Sequence, residues 1–182
     1  MCLSKTDVMA NIMMSRCKIL QAECSGVHVL KLVGEVRLNL CSTIDTAIQS
    51  STKDPNFATV VVDLTETTLI DSTTLGMLAK LAILAKKKSH FLPSLVSTNP
   101  DITRIITTMG FDTVFIILEK PAVTDQALRE LPIEELNEVA LRANVLNAHK
   151  ILMKLNEHNR EQFKDLVATL EHETENQAAF GA

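Results

Sequence analysis

Tryptophan and tyrosine are absent from this 182-residue chain, and aromatic residues make up only 3% of it. Stacking single-stranded bases needs an aromatic platform, so nucleic-acid binding of that kind is excluded. Basic excess is missing as well. The net charge is −4 and the pI about 5.7, whereas a nucleic-acid binder usually carries a basic face. Glycine occurs five times, and no glycine-rich loop is available to cradle a nucleotide's phosphates. No segment approaches the ~20 apolar residues of a membrane span. The first 14 residues lack the apolar core and cleavage site of a signal peptide, so the expected location is cytoplasmic. The five histidines are dispersed, and Cys2, Cys17, Cys24 and Cys41 lack the paired spacing of a zinc site. Cys17 and Cys24 fall on an expected strand and read as buried thiols of a reducing compartment. No Ser/His/Asp constellation, phosphate-binding loop or His-x-x-x-His pair stands out. The expectation is therefore a non-enzyme with no cofactor and no metal.

What the chain does have is 46% hydrophobic residues, enough for a real core. Strand and helix signals alternate through its first two thirds. Residues 17–24 and 27–33 read as two strands around a Ser25-Gly26 turn, with Gly34 ending the second. From Leu38 to about Ser51, Leu40, Ile44 and Ile48 mark a helical stripe. Lys53-Asp54-Pro55-Asn56 is a loop. Residues 58–64, with Val60-Val61-Val62, form a buried strand. A second helix runs from Ser72 to about Lys88, where Lys86-Lys87-Lys88 reads as a solvated last turn favoured by the helix dipole. A strand at 92–97 follows, then a helix begun by Asn99-Pro100 and stopped by Gly110, then a last strand at 114–118. This order predicts an α/β layer fold.

The segment with most functional content joins the third strand to the second helix. It reads Thr59-Val60-Val61-Val62-Asp63-Leu64-Thr65, then Leu69-Ile70-Asp71-Ser72-Thr73-Thr74-Leu75-Gly76. It puts a serine hydroxyl at the head of a helix at one end of a sheet. There Ser72 reads as a helix cap whose oxygen accepts a first-turn N–H, and the helix terminus would also tolerate a phosphate. Over roughly Cys17 to Leu118 the chain resembles the STAS family, whose bacterial members include the anti-sigma factor antagonists. In that family the serine after the aspartate is phosphorylated by a partner kinase, and Ser72 occupies that position. The resemblance implies a mixed sheet of four to five strands with helices packed on it. It also implies partner binding by Asp71, Thr73, Thr74, Arg37, Glu35 and Met77, with Asp71 orienting the Ser72 hydroxyl or helping a kinase place it. Asp63 and Glu66 would add like charge to a phosphate at Ser72. Two departures from the family pattern stand out. Thr74 replaces a glycine, and Gly34-Glu35-Val36-Arg37 replaces Gly-Glu-Leu-Asp, which points to a subgroup whose partner presents different charges.

Beyond about Thr124 strand signals vanish. A helical stretch from Pro132 to about Glu173 contains no glycine or further proline. Val145, Leu152, Asn159 and Leu166 are seven apart, and His149, Asn156, Phe163 and Leu170 form a companion series. This is a heptad-like seam with polar gaps. It fits either a long helix folded back on the domain or a helix for partner or self-association. The expected division is an arm at 1–15, a STAS unit at 16–122 and a helical extension at 123–182. The resemblance implies a partner-switch regulator. Its unphosphorylated form binds an anti-sigma factor that is often itself the kinase of Ser72, freeing a sigma factor, and a phosphatase resets it. Two alternatives are a constitutive adaptor or structural subunit of a larger, membrane-associated complex, and a small-molecule sensor.

Overall fold

The computed structural model describes residues 17–120, 127–134 and 137–180, with side chains described to residue 174. The expected arm at 1–15, Cys2 and the start of the extension at 123 lie outside the described residues. The elements in order are β1 (Lys18–Cys24), β2 (Val27–Val36), α1 (Cys41–Lys53), β3 (Thr59–Ile70), α2 (Ser72–Ser89), β4 (Ser94–Val96), α3 (Pro100–Thr108), β5 (Ile116–Leu118), β6 (Arg129–Glu130), α4 (Glu138–Leu152) and α5 (Glu157–Phe180). They form a mixed α/β fold on one sheet of six strands, ordered β5-β4-β3-β2-β1-β6. β2 through β5 pair in parallel, while β1 joins β2 as an antiparallel hairpin. The sixth strand exceeds the expected four to five. It is the two-residue β6, which pairs antiparallel with the edge of β1 and is too short to carry a hydrophobic pattern.

Alternation along β3 explains the layering. Val60, Val62 and Leu64 enter the main core with Leu32, Ile44, Leu78, Leu81, Leu95 and Ile106. Val61 faces the other way, into a strip that among the described residues is formed by strand residues, with Ala22, Val29 and Val96. Gly34 does not end β2. It adopts φ +78 at a register irregularity, and pairing resumes through Val36 opposite Ile70. A bulge that needs left-handed backbone favours glycine and lets the strand continue. The added length carries β2 and β3 to a common end, beside which α2 begins.

The extension is two helices rather than one, broken at 153–156. Asparagine causes the break. Asn156 Oδ1 accepts the Asn159 N–H at 2.8 Å, which caps α5. The fully buried Asn159 donates its amide to Leu152 O and Met109 O, both at 3.0 Å. Two polar gaps of the heptad seam are therefore the residues that fold the seam back on itself. The extension is also laced to the sheet and to α1. Leu131 N–H donates to Ile19 O at 2.9 Å, Glu134 N–H to Thr43 Oγ1 at 2.9 Å, and Ser42 Oγ to Glu134 O. Cys17 and Cys41 are buried, whereas Cys24, the last residue of β1 beside the turn, is exposed, contrary to the expectation of a buried thiol. Lys88 is not simply solvated, because its ammonium donates to Thr52 O at 2.7 Å and to Asp54 O and lies 5.3 Å from the centre of the Phe57 ring.

Candidate functional site

Asp71, not Ser72, caps α2. Its extended backbone precedes the helix, and Oδ1 accepts the Thr74 N–H at 2.8 Å. Its second oxygen accepts the Leu38 N–H at 2.6 Å, and its own N–H donates to Val36 O at 3.2 Å. One aspartate thus fastens the start of α2 to the loop after β2. Glu35, near the end of β2, and Arg37, in that loop, are exposed and paired with each other at 3.2 Å. With both carboxylate oxygens engaged by backbone, Asp71 has no described hydrogen bond to the Ser72 hydroxyl.

The residue that does orient that hydroxyl was missed. Ser72 is half-buried, and its Oγ lies 2.9 Å from His149 Nε2 on α4. His149 Nδ1 lies 2.8 Å from Val145 O. A carbonyl only accepts, so Nδ1 carries the ring proton, and in the neutral ring Nε2 accepts from the serine. His149 is 3% exposed, and Phe163 of α5 meets its ring edge-on with centroids 5.0 Å apart. In the sequence the only signal was a polar residue at a seam position where an apolar one is expected.

α4 reaches Ser72 because α2 has no side chain one turn later. A Cβ added to Gly76 would stand 2.4 Å from Ala148 O, so the two helix backbones are in contact. Of the other candidate residues, Thr73 is buried at 6% exposure, and Thr74 and Met77 lie in the interior at 0% and 1%. Only Ser72, Asp71, Glu35 and Arg37 of the set reach the surface with α4 seated. Asp63 and Glu66 do not add unopposed charge, because Lys31 lies 3.7 Å and 2.6 Å from them. The Glu66 bond, followed by burial acting against it and the nearby Asp63, leaves the Lys31 ammonium above its ordinary value. Beneath the junction, burial first and then the charge of Asp71 push the Cys41 thiol up to about 12. Among the described residues there is no group of three or more His, Cys, Asp or Glu side chains placed to hold a metal ion, and no helix long and apolar enough to cross a membrane.

A mixed α/β sheet with a serine opening the helix after its central parallel strand defines a class of domain, and comparison with known proteins places it. The family described as Mlab, STAS domain matches residues 20–119, just over half of the chain. The chain belongs to the STAS domain family. Among solved structures it is similar to an anti-sigma factor antagonist from Mycobacterium paratuberculosis, at 23% identity and a TM-score of 0.51, over 57% of this chain and 86% of that one. It is also similar to the anti-sigma factor antagonist SpoIIAA in its unphosphorylated form, at 14% identity and a TM-score of 0.48, over 56% and 87%. No curated protein matches the sequence. The family match runs from within β1 to just past β5, so β6, α4 and α5 lie outside it.

Proposed function

We propose that this protein is a phosphorylation-controlled partner-switch regulator. Its STAS unit, residues 16–122, binds an anti-sigma factor when Ser72 is unmodified and so releases a sigma factor. A serine kinase, the anti-sigma factor itself or a companion, places the phosphate, and a phosphatase removes it. The observation that carries this reading is Ser72 Oγ, half-buried at the first turn of α2, beside the exposed Glu35–Arg37 pair. A phosphate there brings about −1.5 to −2 charges. The helix terminus tolerates them, while a partner docked across the junction faces them. Captured on the cognate partner, Ser72→Ala should keep binding. Ser72→Asp should bind more weakly by about tenfold or more, given that each 1.4 kcal/mol is a factor of ten. Equal affinities refute the switch.

One observation favours a second reading, a constitutive adaptor. The Ser72 hydroxyl is already held by a buried histidine of the extension, as it would be in a permanently sealed subunit. Intact-mass measurement on protein from its native cells separates the two. A form heavier by one phosphate, absent in Ser72→Ala, supports the switch, and its absence under all growth states supports the adaptor.

A further inference from the structure

We propose that the α4–α5 hairpin is an intramolecular cover of the Ser72 end of α2, latched by His149, and that a phosphate on Ser72 unseats it. This rests on Ser72 as the regulated group and adds what the modification does within the chain itself. Three observations on different elements carry it. First, a single proton separates Ser72 Oγ from His149 Nε2 at 2.9 Å. Phosphorylation removes that proton and puts a tetrahedral group in its place. Second, the helices have no slack beside it. Ala148, the neighbour of His149, has its carbonyl oxygen where any Gly76 side chain would start. Close-packed backbones separate as units rather than by local stretching. Third, His149 cannot turn to follow the new group without loss. Nδ1 is tied to Val145 O and the ring is walled by Phe163. If the phosphoserine swings outward instead, Nε2 is left as an acceptor without a partner in a site 3% exposed to solvent. Either route breaks the latch.

The hairpin is built to leave as a body. Two further polar ties run to backbone carbonyls at the end of α3, from Asn156 to Thr108 O and from Asn159 to Met109 O. The hairpin contributes Leu152 and Phe163 to the main core, with Ile151, Met153 and Leu155 packed against that core, and it also buries Ala148 and Val167. The other buried members of that core all come from residues 17–115. Modification and cover are thus thermodynamically linked, each opposing the other.

The test uses the full-length chain with phosphoserine installed at position 72 by an expanded genetic code, compared with the unmodified chain by amide hydrogen exchange. Peptides within 138–152 and 157–173 should exchange at least about tenfold faster in the phosphoserine protein, while peptides within 59–70 stay protected. Unchanged or slower exchange in α4, as an imidazolium–phosphate pair would give, overturns the proposal, and so does loss of protection throughout the sheet. A double-mutant cycle tests the latch separately. His149→Ala should speed α4 exchange markedly in the native background and much less in a Ser72→Ala background. Effects that simply multiply would mean the two side chains do not act through each other. Because the phosphate is installed directly, failure here leaves the partner switch standing. Conversely, absence of any phosphorylated form in cells would sink the switch and leave this coupling intact.

Discussion

Two helix starts in this fold follow the same construction and end differently. At the β3–α2 junction an aspartate caps the helix and Ser72 opens it, and at the β4–α3 junction Asn99 caps and Pro100 opens. Both lie at the carboxyl ends of neighbouring parallel strands. The second is open, an indentation of about 520 Å³ lined by Ser97, Thr98, Thr103, Arg104 and Glu119. The first is closed by α4, with a histidine on its hydroxyl and a backbone against its fifth residue, Gly76. The helix terminus is common to both and so does not distinguish them. What distinguishes the Ser72 end is the α4 lid, which seats His149 on its hydroxyl.

The strongest way to break this contrast is at the fifth residue of each helix. Gly76→Leu forces side-chain atoms into the Ala148 backbone and should destabilise the protein by about 3 kcal/mol, the upper range for overpacking, or release the hairpin. Arg104, the matched residue of α3, is 77% exposed, and Arg104→Leu should stay within about 0.5 kcal/mol of the native chain. Urea unfolding followed by circular dichroism measures both. Similar costs at the two positions would show that the lid contributes no packing.

The caps come next in size. Asp71 accepts two backbone N–H groups, from Thr74 in its own helix and from Leu38 across the junction. Asn99 accepts one, from Asp101 at 3.0 Å in an exposed setting. Removing a cap costs about 1 kcal/mol, and a part-buried donor left unpaired adds about 1–3 kcal/mol. Asp71→Ala should therefore lose about 2–4 kcal/mol and Asn99→Ala about 1 kcal/mol, by the same unfolding measurement. If Asn99→Ala costs as much as Asp71→Ala, Asp71 is only a cap and does not fasten the loop after β2.

The difference in legibility between the two ends has a physical cause. Local signals placed both junctions. The run Val60-Val61-Val62 alternates sides as a strand must, Asn99-Pro100 opens α3, and Asp71-Ser72 opens α2. Which of two adjacent polar residues caps was not legible, because aspartate and serine compete closely for that role and the Leu38 contact across 33 residues decided it. His149 lies 77 residues from Ser72, and no local pattern carries that distance. Its trace was a polar residue in the heptad series, as Asn156 and Asn159 were. Read as weaknesses of a coiled coil, these three residues instead end one helix, start the next and hold the serine.

Cys41 supplies the smallest and sharpest test, because it lies under the closed junction and should not notice the lid. It is 0% exposed at the start of α1, and its thiol is pushed up to about 12 by burial and then by Asp71. An ordinary thiol ionises near about 8.5, so at pH 8 the folded protein holds Cys41 un-ionised, and only the thiolate attacks an alkylating reagent. The same shift makes stability fall as pH rises. The unfolded chain releases this proton above about 8.5 while the folded chain keeps it, so the contribution is complete below that value and is lost as pH climbs toward the folded value. With iodoacetamide at pH 8, peptide mapping should find Cys24 modified and Cys41 untouched. Gly76→Leu should leave Cys41 resistant even as peptides from α4 lose hydrogen-exchange protection, since Cys41 packs with Leu40, Ile44, Leu75 and Leu78 in the main core. Rapid alkylation of Cys41 in that variant would mean that α4 and the core open together. The hairpin would then be a structural part of the domain, and the two helix starts would differ in stability rather than in access.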